Sequence, residues 1–262
     1  MKKSKLFKTI YKFYEEYKIF INSATLPDIK IEIIDNDEDA FSYFHMDDLE
    51  VQKYILYVKE SLFDYNEKFT KSILFHEFTH LYDFLQYTKI FSKEDTRLLM
   101  NYCSEYNASK TELLCQLYNT NLDEIKVKKK LTETLWYKQN NEQVNNYIMY
   151  PLADLLAIIE DDHNDMKNIS GHEFAKKFVR SEQFAVYYFG KLDACKQYIQ
   201  GTVLDMFKST YPFYDIFNDL HNILNSKSNS TVEKIIALKE WTETYKNTYY
   251  KYFYTPNLIE SK

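Results

Sequence analysis

The sequence predicts an α+β protein that is mostly helical and contains one small sheet. Only three glycines and four prolines occur in 262 residues, which favours long helices joined by short polar connections. Three short segments rich in β-branched and aromatic residues, 29–34, 40–46 and 54–58, predict the strands of the sheet. Beyond residue 120 there is no further strand signal, so an all-helical region is expected there.

The first predicted element is an amphipathic helix over residues 5–20. One of its faces carries apolar residues at alternating steps of four and three: Leu6, Ile10, Phe13, Tyr17 and Phe20. This spacing follows the 3.6-residue period of a helix that is buried along one side. The helix is expected to end near residues 23–27, and acidic turns such as residues 35–39 separate the predicted strands.

Residues 72–87 are predicted to form the central helix, after a polar segment over residues 64–71. This helix is apolar on nearly every side, which indicates that it is buried in the middle of a domain. Within it, residues 76–80 read His-Glu-Phe-Thr-His. On a helix, His76 and His80 stand one turn apart on the same face, so both imidazoles can reach one metal ion. The alternative is a pair of core histidines with ordinary hydrogen-bond partners.

The chemistry of a zinc site explains this spacing. Leaving His76, Glu77 and His80 unpaired in a buried helix would cost roughly 1–3 kcal/mol per group, whereas one metal ion satisfies all three. A catalytic zinc takes three protein ligands and leaves a fourth position for water, and a neighbouring carboxylate can accept a proton from that water. The motif therefore predicts His76 and His80 as zinc ligands and Glu77 as the general base.

The third ligand is expected from the next helical segment, residues 92–120, which offers Glu94, Glu105 and Glu112. The pattern with Gly three residues after the second histidine and a His or Asp three residues later does not fit, because Asp83 and Gln86 stand at those positions. Glu105 is the predicted ligand because small residues follow it on the same face, and they would let that face approach the central helix. The alternative is a solvated Glu105.

Two further acids stay open as ligands or supporting residues. Glu112 lies two turns after Glu105 on the same face, so it is either the replacement ligand or a partner of one. Asp83 lies three residues after His80 and could accept the spare imidazole proton of a histidine. The alternative for Asp83 is an ordinary surface acid that forms salt bridges.

Residues 50–115 resemble the gluzincin group of zincin metallopeptidases, particularly the short intracellular ones of bacteria and their mobile elements. In that group a His-Glu-x-x-His helix is followed by a helix with Glu-x-x-Ala and a small polar residue, matched here by Glu105, Ala108 and Ser109. The family usually has Asp or Asn where Ser109 stands. The resemblance implies a zincin-like sheet packed on the metal-binding helix, zinc-dependent hydrolysis of peptide bonds, and a protein or peptide substrate.

Composition excludes other classes of function. The net charge of −6 disfavours electrostatic binding to nucleic acid as the main activity. The odd number of cysteines lacks metal-type spacing and argues against a disulfide framework, so a reducing cytoplasm is the expected location. Lys12, Glu15, Glu16 and Lys18 break the apolar stretch of a signal peptide. No apolar run approaches the ~20 residues that span a bilayer, so no membrane association is expected.

The second half of the chain is predicted to be a helical accessory domain. Asn121 with Glu124 forms a capping box that opens this region, which places the domain boundary near residue 120. The prediction is therefore a catalytic domain over residues 1–120 and a helical domain over residues 121–262. Ser230 with Glu233 is expected to cap a final helix after a polar linker.

The sequence thus favours a zinc-dependent peptidase and leaves two alternatives. The first is a zincin-like module that binds metal but acts as a sensor or regulator without catalysis. The second is a metal-free helical interaction protein in which the histidine pair is structural.

Overall fold

A computed structural model describes residues 3–23, 25–35, 40–117, 152–166, 168–169, 171–198, 214–227 and 229–254. It confirms a mostly helical α+β protein with one small sheet. The chain divides into two compact units, whose described residues are mainly 3–117 in the first and 152–197 with 214–254 in the second. The boundary near residue 120 and its capping box lie outside the described residues, so that division of the chain remains a prediction.

The first unit begins with the predicted amphipathic helix, α1 (Lys3–Phe20). Its apolar face is buried in a core shared with the sheet and the central helix. The helix ends at Phe20, the last residue of the predicted apolar pattern and a few residues before the expected end near residues 23–27. Asn22 comes after its last turn with a φ of +52°, a left-handed conformation that asparagine tolerates better than most residues.

The three predicted strands form one sheet: β1 (Lys30–Ile34), β2 (Ser42–Phe44) and β3 (Ile55–Lys59). The order is β1-β3-β2, with β1 parallel and β2 antiparallel to the central β3. Leu56 and Val58 alternate toward the core and are fully buried. The short helix α2 (Met46–Glu50) connects β2 with β3.

The central helix, α3 (Glu67–Tyr87), starts five residues before its predicted start. Asn66 caps it, since its side chain accepts a hydrogen bond from the backbone N–H of Phe69 at 2.9 Å. Lys71, one of the polar residues of the first turns, is buried and forms an ion pair with Glu16 of α1. The buried Lys71 can therefore be part of the helix because an ion pair with a residue on another helix compensates its charge.

The segment predicted as one helix from residue 92 is interrupted. It consists of α4 (Lys93–Leu99), a π-helical turn (Met100–Ser104) and α5 (Glu105–Leu117). Ser92 caps α4 and accepts a hydrogen bond from the backbone N–H of Asp95 at 3.1 Å. Helix α5 packs along α3, and this pairing forms the frame of the candidate site.

All secondary-structure elements in the described residues of the second unit are helices, as predicted. The helices are α6 (residues 152–165), α7 (Gly171–Tyr198), α8 (Tyr214–Asn225) and α9 (Thr231–Tyr254). The predicted capping box opens α9: the N–H of Ser230 donates to Glu233, and the N–H of Glu233 donates to the Ser230 hydroxyl. Within the described part of the chain, no helix has the length and apolar character needed to cross a membrane.

Candidate metal centre

The two histidines of the motif lie one turn apart on α3, and both direct a ring nitrogen toward α5. The ring centroids of His76 and His80 are 4.8 Å apart. Nε2 of His76 lies 3.5 Å from Oε2 of Glu105, and Nε2 of His80 lies 3.4 Å from the same oxygen. The structure therefore brings together the three side chains that the sequence predicts as metal ligands.

Glu105 reaches the histidines because α5 approaches α3 closely. It is the first residue of α5 and directly follows the π-helical turn. Ala108 and Ser109, the small residues of the next turn, are fully buried. Glu94, another acid of this segment, is exposed on α4. The choice of Glu105 from its small neighbours thus agrees with the packing of the two helices.

Three ligand atoms, one from each of His76, His80 and Glu105, lie within 4.8 Å of one another, which is close enough to share a metal ion. Oε2 of Glu105 is buried and has no hydrogen-bond partner in the part of the chain that the structure describes. Its distances to the two imidazoles exceed the roughly 2.7–2.9 Å of a charge-assisted hydrogen bond. A buried carboxylate oxygen without a partner is costly, so a cation fits this position.

The electrostatics of the site also favour positive charge. Burial acts to lower the pKa of His76, but the carboxylates of Glu105 and Glu112 outweigh burial and raise that pKa to about 10. Burial likewise opposes a rise in the pKa of His80, which Glu105 nevertheless raises. Burial acts to raise the pKa of Glu105, yet His80 and His76 hold it far below its usual value. A metal ion bound here would replace protons on the two imidazoles.

Glu77 lies between the two histidines in the motif and is buried. Burial raises the pKa of its carboxyl group to about 7, against the opposing effects of His80 and His76. A carboxyl group with a pKa near neutrality can accept and release a proton near pH 7. This is the property that a general base requires.

Glu112 contacts the other nitrogen of His76. Its Oε2 lies 3.2 Å from Nδ1 of His76, while its Oε1 accepts a hydrogen bond from Gln116 at 3.4 Å. Gln116 in turn donates to the hydroxyl of Ser72 on α3 at 3.0 Å. Of the two roles left open for Glu112, the structure places it as a partner of a histidine, and Glu105 occupies the position beside both Nε2 atoms.

Asp83 does not contact His80 as the sequence suggested. Nδ1 of His80 lies 2.9 Å from the hydroxyl of Ser104, and Asp83 accepts a hydrogen bond from Asn107 at 3.1 Å. Asp83 is also buried, so its interpretation as a surface acid is wrong. Burial raises its pKa to about 6, and the hydrogen bond from Asn107 opposes that rise.

Ser109, the small polar residue of the resemblance, does not orient either histidine. Its hydroxyl is fully buried and forms no hydrogen bond with any described residue. Three side chains form hydrogen bonds around the candidate site but were not identified from the sequence: Ser104, Asn107 and Gln116. In the sequence, a polar residue that forms a buried hydrogen bond on a helix looks the same as a polar residue that is exposed to solvent. For Ser104, the only sequence signal is its position beside Glu105.

No family model, curated protein or solved structure matches this chain. The resemblance to gluzincins therefore rests on the His-Glu-x-x-His helix and on the residues that come after Glu105 on the second helix. The structural result that bears on function is that His76, His80 and Glu105 come together at one point of the fold.

Proposed function

We propose that this protein is a zinc-dependent peptidase whose metal is held by His76, His80 and Glu105 and whose general base is Glu77. The observation that supports this proposal is the convergence of three ligand atoms from two helices, all within 4.8 Å of one another. The three side chains are between 12% and 23% exposed, so the site is not sealed from solvent.

The distances and donor types suit zinc in particular. Bonds of about 2.0–2.2 Å to nitrogen and oxygen place neighbouring ligands of a tetrahedral zinc about 3.4 Å apart. Oε2 of Glu105 lies 3.5 and 3.4 Å from the Nε2 atoms of His76 and His80. Two imidazoles with one carboxylate also form a recurrent ligand set of catalytic zinc, whereas magnesium and calcium prefer oxygen ligands alone.

The chemistry then divides between the metal and Glu77. A zinc ion held by His76, His80 and Glu105 would acidify water and polarise a carbonyl group. Glu77 takes a proton from the attacking water and returns it to the leaving amine.

The edge of the sheet supports an extended peptide as the substrate. Strand β2 pairs with β3 on one side only in the described sheet, and β2 also contacts α3, the helix of the histidines. An exposed strand edge can bind an extended peptide through main-chain hydrogen bonds. A peptide bound there would add a fourth strand next to the metal-binding helix.

Metal analysis and a Glu77→Gln variant test this proposal. Purified wild-type protein and Glu77→Gln should each retain about one equivalent of zinc, and only the wild type should cleave peptides in a proteome-derived peptide library. Zinc in both proteins without cleavage by the wild type would identify a metal-binding regulatory module. Less than about half an equivalent of zinc, with no gain after zinc is added, would identify a metal-free interaction protein.

A further inference from the structure

Gln116 of α5 connects the two helices of the metal centre. Its side-chain nitrogen Nε2 lies 3.0 Å from the hydroxyl of Ser72 on α3 and 3.4 Å from Oε1 of Glu112, one turn earlier on its own helix. Ser72 is fully buried, so this contact lies inside the interface of the two helices. One amide group therefore joins α3 to the acid that meets His76.

The hydrogen bonds of Ser72 fix the orientation of this amide. The hydroxyl of Ser72 donates to the backbone carbonyl of Phe69 at 2.8 Å, because a carbonyl oxygen can only accept. A hydroxyl group has a single proton, so Ser72 can only accept the hydrogen bond from Gln116. The group of Gln116 that faces Ser72 is therefore its NH₂ group and not its carbonyl oxygen.

The same NH₂ group also meets Glu112. An amide NH₂ group has two protons, whereas a carboxylate only accepts hydrogen bonds. One N–H of Gln116 points to Ser72 and the other points to Oε1 of Glu112, while Oε2 of that carboxylate lies 3.2 Å from Nδ1 of His76. A glutamine suits this position because both of its neighbours are acceptors, and a glutamate of the same size would not suit it.

We propose, on the premise of the zinc site proposed above, that Gln116 is a positioning residue that anchors Glu112 to Ser72 and thereby holds its carboxylate against His76. The described hydrogen bonds of the Gln116 side chain go to Ser72 and Glu112, so it acts on zinc binding through Glu112. Hydrogen-bond partners of metal-binding histidines set the orientation of the imidazole ring. Gln116 sets the position of that partner.

Two substitutions that keep the size of the side chain separate this role from packing alone. Gln116→Met removes the donor and should weaken zinc binding by about 3- to 10-fold, the range expected for a hydrogen bond. Gln116→Glu places a second carboxylate beside Glu112 and should weaken binding further, by about 10- to 100-fold, because the repelled Glu112 no longer contacts His76. A packing role predicts that both variants bind zinc like the wild type. Competition with a chromogenic chelator near neutral pH measures the affinity without any need for peptide cleavage.

Gln86 provides the matched control. It is a half-buried glutamine of α3 whose described side-chain partner is Lys89, at 3.5 Å, and it lies outside the metal group. Gln86→Met and Gln86→Glu should both bind zinc as tightly as the wild type. They measure what the same changes of side chain do when no acid of the site depends on the amide.

A double-mutant cycle tests whether Gln116 acts through Glu112. In a Glu112→Gln background, Gln116→Met should not weaken zinc binding further, and Gln116→Glu has no carboxylate to repel. Equal fold losses in the wild-type and Glu112→Gln backgrounds would overturn the proposal, as would a Gln116→Met affinity within about twofold of the wild type.

Two measurements separate this proposal from its premise and from misfolding. Melting temperatures of the zinc-free variants report whether each one folds. If the variants at position 116 do not fold, Ser72→Ala takes their place, since it removes the anchor on α3, and an unchanged zinc affinity then overturns the proposal. A wild-type protein that binds no zinc overturns both the zinc site and the role of Gln116. A wild type that binds zinc together with a Gln116→Met variant of equal affinity overturns the role of Gln116 alone.

Discussion

Nδ1 of His76 lies 3.2 Å from Oε2 of Glu112, and Nε2 of the same ring lies 3.5 Å from Oε2 of Glu105. Both acids belong to α5, where they are separated by two helical turns. One helix therefore contacts both nitrogens of this imidazole. The position of His76 and the site of its proton consequently depend on how α5 packs against α3.

Substitution of Glu112 by Gln should weaken zinc binding by about 10- to 100-fold, because His76 loses the anion that fixes its tautomer. Chelator competition at a fixed pH near neutrality measures this affinity. Glu94→Gln is the control, since Glu94 is exposed on α4 and outside the metal group. Equal zinc affinity of Glu112→Gln and Glu94→Gln would contradict a role for Glu112.

Removal of zinc should lower the melting temperature of the wild-type protein. Free zinc at about 1,000 times its Kd stabilises a folded protein by about 4 kcal/mol when the unfolded chain does not bind it. His80→Ala should lose the increase in Tm on adding zinc, and His45→Ala, which changes an exposed histidine beside Tyr43, should keep it. Differential scanning calorimetry with zinc and with a chelator measures both, and a zinc-independent wild-type Tm counts against the site.

The ion pair between Lys71 and Glu16 should respond differently to loss of each partner. Lys71 is buried and its ammonium group also lies over the rings of Phe13 and Phe75 at 5.7 and 5.2 Å from their centroids. Glu16→Gln leaves that buried charge without its anion and should lower the free energy of unfolding by roughly 2–3 kcal/mol. Lys71→Met fills the same apolar space without a charge and should change it by less than about 1 kcal/mol. Urea unfolding compares them, and equal losses would refute this asymmetry.

Stability should fall in acid partly because Glu50 loses its charge. Hydrogen bonds from Arg97, at 2.6 and 2.9 Å, lower the pKa of Glu50 from 4.5 to about 2. A carboxylate with a lowered folded pKa stabilises the protein fully above the unfolded value, so this contribution disappears as the pH falls from about 4.5 toward 2. Glu50→Gln should therefore lose about 1 kcal/mol at neutral pH and little near the folded pKa. Urea unfolding at both pH values checks this, and an equal loss at both would contradict it.

Much of the first unit could be predicted because its signals are local. The apolar period of α1, the β-branched segments of the sheet and the histidine spacing on α3 each depend on residues that are close in sequence. The start of α3 could not be predicted, since Lys71 looks like a solvated residue until Glu16 on another helix pairs with it. The start of α3 thus depends on a contact between residues far apart in sequence, which local composition does not reveal.

The candidate site shows the same division. Two histidines and a general base are predicted by one motif, and Glu105 is predicted by the small residues beside it. Ser104 could not be predicted as a neighbour of His80. In a continuous α-helix, consecutive residues such as Ser104 and Glu105 point about 100° apart, so they are not both expected to contact α3. The π-helical turn changes that geometry, and π-helical turns are frequent at functional sites.

The π-helical turn at Met100–Ser104 lies directly before Glu105. The number of residues in this turn therefore affects the direction in which Glu105 points. A π-helical turn accommodates one more residue than an α-helical turn, and each residue added to or removed from an α-helix rotates the remainder of that helix by about 100°. A homologue one residue shorter here would have to give up either the hydroxyl beside His80 or the ion pair of Arg97 with Glu50. In an alignment, the insertion or deletion of a single residue in this turn would therefore indicate a changed site, even where the His-Glu-x-x-His motif is unaltered.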